Sequence, residues 1–135
     1  MNDIFVSHSI EDKDRLLPLV NALEKTGWSV FLARKISAGV TWRKVIDSEM
    51  QNSRSIVVVW TKNSITSEWV LEEEAETGKR RGILVPVLLD EVEPPFGFGT
   101  IQSANLAAWN GDSSSSIFIQ LVENMAATLG PPRGR

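Results

Sequence analysis

Apolar and polar residues succeed one another in blocks along the chain, and the period of each block predicts an element. Asp3-Ile4-Phe5-Val6-Ser7-His8 is a short apolar run that reads as a buried strand. The polar stretch 9–14 leads into a helix with Leu16, Val20 and Leu23 on its inner face, ending at Gly27. Pro18 would cost about 3 kcal/mol inside a helix, which predicts a late start or a kink there. Residues 28–32 form a second strand, and 33–41 a loop carrying Arg34, Lys35 and Gly39. Thr41 is placed to cap a helix over about 42–52 whose apolar face is Val45, Ile46 and Met50.

Ile56-Val57-Val58-Val59-Trp60 is apolar without alternation, as expected of a central strand covered on both faces. A polar loop, 61–66, joins it to the stretch Ser67-Glu68-Trp69-Val70-Leu71-Glu72-Glu73-Glu74, a capped helix start with surplus acid that stops near Gly78 or Gly82. Residues 83–89 give a fourth strand, in which Pro86 cannot donate a ladder hydrogen bond. A Pro/Gly loop over 90–100 precedes a short fifth strand, 105–109. Ser113 to Ser116 offer caps for a last helix with Ile117, Leu121 and Met125 on one face, and 130–135 reads as a linker or tail after a domain over 1–129.

Five strands alternating with helices imply a parallel sheet with helices on both faces. With right-handed crossovers the expected architecture is the flavodoxin-like, doubly wound five-stranded sheet of order 2-1-3-4-5. Ligands of such sheets bind beyond the carboxyl ends of the strands, at the switch point between strands one and three. That rule selects the segments after His8 and after Trp60, and the second runs directly into Trp69 and Glu73.

Composition narrows the function classes. The chain has 135 residues, 42% hydrophobic and 23% charged, enough for one real core. A net charge of −3 argues against nucleic-acid binding, and Lys79-Arg80-Arg81 reads as the solvated end of a helix. Thiolate chemistry is excluded because there is no Cys, and a single His without ligand spacing predicts no metal site. No membrane span or signal peptide is visible, so a cytoplasmic location is expected.

Several chemistries fail on their motifs. No Gly follows the first strand, which removes dinucleotide-binding turns and P-loops. Trp60 and Thr61 stand where a phosphate-accepting domain of this topology needs a carboxylate. No Ser lies in a G-x-S-x-G elbow. His8 is either a polar residue capping the next segment or a general base. The acids after Ser67 either favour the helix dipole or supply one reactive carboxylate beside Trp69.

From residue 3 to about 129 the chain resembles the Toll/interleukin-receptor (TIR) domain family, prokaryotic type. Asp3-Ile4-Phe5-Val6-Ser7-His8 resembles its first-strand motif; Gly27-Trp28-Ser29-Val30-Phe31 with Arg34-Lys35-Ile36-Ser37-Ala38-Gly39 resembles its second strand and "BB" loop. Ser67-Glu68-Trp69-Val70 with the acids resembles its W-x-x-x-E signature, and Val85-Pro86-Val87 its fourth strand. Ala33 stands where members often carry an acidic residue.

The resemblance implies two activities. One is cleavage of NAD+ at the nicotinamide–ribose bond, giving nicotinamide and ADP-ribose or a cyclised product, with NAD+ as substrate and no cofactor or metal. The other is recruitment of further TIR domains by self-association, the BB loop 33–41 taking part, in signalling or defence. It places Trp69 against the site, His8 and Ser9 along the pocket near the nicotinamide riboside, and Arg34 towards the substrate or a neighbouring subunit. Counting forward from Trp69 puts Glu73 in the catalytic place; counting back from Gly82 through Gly78 and Ala75 puts Glu74 there. On a regular helix Leu71, Ala75, Gly78 and Gly82 make one inward stripe, yet Val70 also belongs inside. One π-turn, aligning positions five apart, would reconcile the two. Glu72 and Glu76 read as solvated.

Overall fold

A computed structural model describes residues 2–32 and 42–130. Five parallel strands form one sheet in the order β2-β1-β3-β4-β5. The strands are β1 (Ile4–Ser7), β2 (Val30–Leu32), β3 (Ser55–Trp60), β4 (Leu84–Leu88) and β5 (Ala104–Asn105). Helices α1 (Leu17–Lys25), α2 (Trp42–Asn52) and α3 (Glu76–Arg81) lie in the crossovers, and α4 (Ser116–Leu129) follows β5. The doubly wound sheet expected from the block pattern is present. Among the described residues no helix is long and apolar enough to cross a membrane.

The strand pleat divides the core into two layers. Ile4, Val6, Val57 and Val59 pack with Leu16, Leu19, Leu23, Phe118, Leu121 and Met125 on the α1/α4 face. On the other face Phe5 and Ile56 meet Ile46 and Met50 of α2, while Val58 and Trp60 meet Val70, Ala75 and Phe98. β3 is therefore buried along its whole length, which its unbroken β-branched run requires.

Pro18 delays the helix as expected. A 3-10 segment, Ile10–Leu16, occupies the preceding turns, and α1 starts with Pro18 in its first turn, where its missing N–H breaks no bond. Pro86 is harmless for a related reason. Leu89 N donates to Trp60 O on the β3 side, whereas Leu106 N donates to Leu88 O on the β5 side, so even-numbered residues face β5. β5 begins at Ala104 opposite Val87, and nothing there awaits a donor from Pro86.

Two strand starts and one helix face depart most from the sequence expectation. β2 starts at Val30 rather than at Trp28, which is buried before the strand begins. The fifth strand is two residues long, starts one residue before the expected run and shares only Asn105 with it, because the chain turns away after Leu106 sinks into the core. In α4 the inward face is Phe118, Leu121, Met125 and Leu129, and Ile117 is exposed. Phe118 is drawn in by stacking on Trp109, with centroids 5.2 Å apart.

Candidate active site

The helix after β3 is not a regular α-helix. Residues Trp69–Ala75 are π-helical and pass into α3 at Glu76. Ser67 sits at its start, its carbonyl accepting Leu71 N at 2.9 Å and its Oγ lying 3.4 Å from Val70 N. The far end is fixed more firmly. Gly82 adopts a left-handed φ of 72°, and Ile83 N donates to Gly78 O at 3.0 Å, which closes the last carbonyls in a Schellman arrangement. Gly78 brings the helix against the sheet: a Cβ there would lie 2.8 Å from Leu84 Cδ1 and 3.2 Å from Ile56 Cβ.

With both ends pinned, the wide π turns absorb the surplus residue and set the register of the acids. Val70, Glu74 and Ala75 are completely buried, Glu73 is half-buried and Glu72 is exposed. Glu76 is half-buried rather than fully solvated. The Glu73 carbonyl accepts Thr77 Oγ1–H at 2.6 Å, and among the described residues its side chain makes no hydrogen bond or ion pair. Glu74 turns towards the sheet instead. Its Oε1 accepts the hydroxyl of Ser7, the last residue of β1, at 2.6 Å. This is at the short end of the O–H···O range.

His8 and Ser9 continue from Ser7 and are also buried. His8 Nδ1 donates to the Ser9 carbonyl at 2.7 Å; a carbonyl only accepts, so the ring carries its hydrogen on Nδ1. Ser9 Oγ donates to Glu11. The exits of β1, β3 and β4 are laced together by polar side chains. Asp12 accepts from Thr61 Oγ1 at 2.5 Å and Asn63 Nδ2 at 3.0 Å, and Arg15 bridges Asp12 and Asp90 at 3.3 and 2.7 Å. Arg15's hydrogen bond holds the Asp90 carboxyl below the usual carboxylate range, helped by the amide of Lys62, and Asp90 in turn raises the guanidinium.

Of the residues selected from sequence, Glu74 is hydrogen-bonded to Ser7 at the end of β1, His8 and Ser9 follow Ser7 directly in the chain, and Glu73 is one position removed from Glu74. Arg34 and the BB loop 33–41 lie outside the described residues, as does the side chain of Trp69, whose backbone opens the π-helical segment. Sequence reasoning missed Ser7, Asp12 and Thr61. Ser7 had a signal: it follows Phe5 by two on a buried face, where a hydroxyl needs a partner. Among the described residues no group of three His, Asp or Glu could hold a metal ion.

Clefts lie elsewhere among the described residues. One of about 530 Å³ between β4, β5 and α4 is lined by Ser103, Asn105, Gln120 and Asn124 with apolar neighbours and carries no titratable side chain. It offers no acid–base chemistry. Another, of about 440 Å³, runs between Glu68, Glu72 and Glu76 and the wholly exposed Phe96.

Known proteins share this arrangement of elements. The family profile described as "TIR domain" matches residues 4–122. A Cytobacillus dafuensis protein provisionally named cyclic ADP-D-ribose synthase TIR2 is 32% identical over 89 residues, 57% of this chain and 23% of that one. The chain therefore spans under a quarter of the length of this curated relative. The TIR domain of the Toll-related receptor TRR-2 from Hydra magnipapillata superposes with a TM-score of 0.77 at 18% identity, over 93% of this chain and 98% of that one. The TIR domains of the activated Roq1 resistosome give 0.68 at 25% identity, over 93% and 99%. A TIR-STING receptor from C. gigas gives 0.72 at 21%, over 99% of this chain and 42% of that one. With the profile match spanning most of its length, the chain belongs to the TIR domain family.

Proposed function

We propose that this TIR domain cleaves NAD+ at the nicotinamide–ribose bond and that Glu74, held by Ser7, is the carboxylate that serves the reaction. The observation that carries this reading is the fully buried Glu74 carboxylate at the exit of β1, 2.6 Å from the Ser7 hydroxyl. It is supported by the likeness to a protein provisionally named a cyclic ADP-D-ribose synthase. Glu73, by the same reading, stands outside the reacting centre.

One carboxylate suffices for this chemistry. A glycosidase needs a second to protonate its leaving oxygen. Nicotinamide in NAD+ is already cationic: when the C1′–N bond breaks, the pair stays on the ring nitrogen and the base departs neutral. Positive charge develops at the ribose, and water, or a nucleophilic nitrogen of the adenine, completes the exchange and loses a proton. A carboxylate ~4 Å from that charge in a half-dry site contributes about 4 kcal/mol, roughly a thousandfold in rate. His8 and Ser9, at the exit of β1, would line the pocket near the nicotinamide riboside. The domain acts in the cytoplasm, in signalling or defence, as an assembly whose contacts include the BB loop.

The test is product analysis by mass spectrometry after incubating concentrated protein with NAD+. Nicotinamide should appear with ADP-ribose or its cyclic form, and Glu74→Gln should suppress it. Light scattering run in parallel should lose self-association in Arg34→Glu or Gly39→Pro. Assembly with no nicotinamide from the wild type would assign the domain instead to non-catalytic TIR–TIR recruitment.

A further inference from the structure

We propose that Asp12 is a positioning residue for the β1/β3 switch point: it fastens the exit of β1 to that of β3 and, through the Ser9 carbonyl, holds His8 as its Nδ1–H tautomer. The functional part of this inference rests on the reading of the site given above; the geometric part stands without it.

The Asp12 carboxylate is 1% exposed and lies within the 3-10 segment that leaves β1. A buried carboxylate persists only where donors meet it. Two of its three come from the exit of β3: Thr61 Oγ1 at 2.5 Å and Asn63 Nδ2 at 3.0 Å; the third is Arg15 at 3.3 Å. The hydroxyl directions around Thr61 are determined by its neighbours. Thr61 Oγ1 accepts the amides of Asn63 and Ser64 at 3.2 and 3.1 Å, and Ser64 Oγ accepts Thr61 N at 2.8 Å while donating to Val59 O at 2.7 Å. Thr61 therefore gives its one hydrogen to Asp12, the nearest and charged acceptor. The β3 exit loop cannot keep this pattern if the carboxylate is withdrawn.

The backbone of Asp12 works in the other direction. Its amide donates to the Ser9 carbonyl at 3.0 Å, the same oxygen that accepts His8 Nδ1–H at 2.7 Å. A displacement of Asp12 moves that oxygen, and with it the bond that selects the tautomer. That ring belongs to the residue directly after the Ser7 that holds Glu74. Arg15 extends the frame to the β4 exit through Asp90, whose other oxygen accepts Lys62 N at 3.0 Å. One residue thus ties the exit of β1 to that of β3 and shares the carbonyl to which the chain's single histidine is hydrogen-bonded.

Because His8 is the sole histidine, its ring nitrogens give unambiguous signals in a long-range 15N–1H correlation spectrum. The wild type is expected to show a single Nδ1–H tautomer. Thr61→Val, which removes the hydroxyl at constant shape, and Asp12→Asn should each give a mixture of tautomers. Each should also lower kcat for NAD+ cleavage about ten- to a hundredfold, as displaced reacting groups do, with KM nearly unchanged. Thr61→Ser should restore both. Folded Thr61→Val or Asp12→Asn protein with the wild-type ring spectrum would overturn the proposal, as would a mixed tautomer in the wild type or no rescue by Ser. If the spectra respond as stated but the wild type releases no nicotinamide, the cleavage reading falls and the positioning of His8 stands.

Discussion

Replacing Glu74 by Gln separates what this side chain does for the fold from the role proposed for it in NAD+ cleavage. Its carboxylate and Ser7 are both fully buried and 2.6 Å apart. Gln keeps an oxygen at the same reach, so the Ser7 bond survives as a neutral one. A hydrogen bond to a charged group contributes about 1.5–3 kcal/mol and a neutral one about 0.5–1.5, so the exchange loses roughly 1 kcal/mol. Against this stands relief from burying a charge, which is several kcal/mol per ion before its partners are counted. The two nearly cancel or favour Gln, so urea unfolding should show a midpoint at or above that of the wild type. Catalysis has no such compensation. On the proposed chemistry, loss of about 4 kcal/mol of charge stabilisation should lower nicotinamide release roughly a thousandfold.

Ser7→Ala reverses the pattern. It leaves the charge in place and removes a donor, lowering stability by about 1.5–3 kcal/mol and turnover by much less than Glu74→Gln does. The assays are equilibrium urea unfolding followed by fluorescence and quantified nicotinamide. The reasoning is refuted if Glu74→Gln turns over within tenfold of the wild type while Glu73→Gln is inactive. It also fails if Ser7→Ala unfolds no earlier than the parent.

Other perturbations test the frame around this pair. Deleting Glu73 should close the π-helical segment Trp69–Ala75 into regular helix with a Glu still one turn beyond Trp69; circular dichroism should show a folded domain, and cleavage should persist. Gly78→Ala gains about 1 kcal/mol of helix propensity. Its Cβ, however, would lie 3.2 Å from the stiff Ile56 Cβ, and overpacking of this kind typically costs about 1–3 kcal/mol, so a net fall in urea midpoint is expected. Asp90 titrates low because of Arg15 and the Lys62 amide. Its contribution is therefore complete above the unfolded carboxyl value near 4 and is lost as pH falls through the lower folded value. Asp90→Asn should flatten stability below about pH 4, by less than about 1 kcal/mol because the ion pair is partly solvated.

The fold was legible because its signals are local and redundant. The unbroken run Ile56-Val57-Val58-Val59-Trp60 can only be a strand covered on both faces, and it is. Pro18 marked its own place at a helix start. What misled was periodicity read without partners. Ile117, Leu121 and Met125 are spaced by four, but a strict four-residue stripe drifts around a 3.6-residue helix, and stacking on Trp109 decided for Phe118. At the site the counts from Trp69 and from Gly82 disagree by one, which allowed a π-turn but did not say which acid it would turn inward. That depended on where the chain is pinned: Gly78 against Ile56 and Leu84 at one end and Val70 in the core at the other. Ser7 was missed because a hydroxyl at the end of a strand is unremarkable until its partner, sixty-seven residues away, is known.

The same pair shows where local rules were set aside. A chain needing only a core at these positions would carry an apolar residue on β1 after Phe5, an aliphatic one at 74, and an unbroken α-helix between them. Each departure alone is destabilising: a buried hydroxyl wants a partner, a buried carboxylate wants several, and a π-turn strains the helix ladder. Two of them answer each other through one 2.6 Å hydrogen bond, and the third supplies the register that lets them meet. They meet at the carboxyl end of β1, beside β3, where an open parallel sheet of order 2-1-3-4-5 leaves its crevice. Consistency across levels elsewhere in the chain makes a coincidence of three departures at the switch point an argument for chemistry rather than for packing.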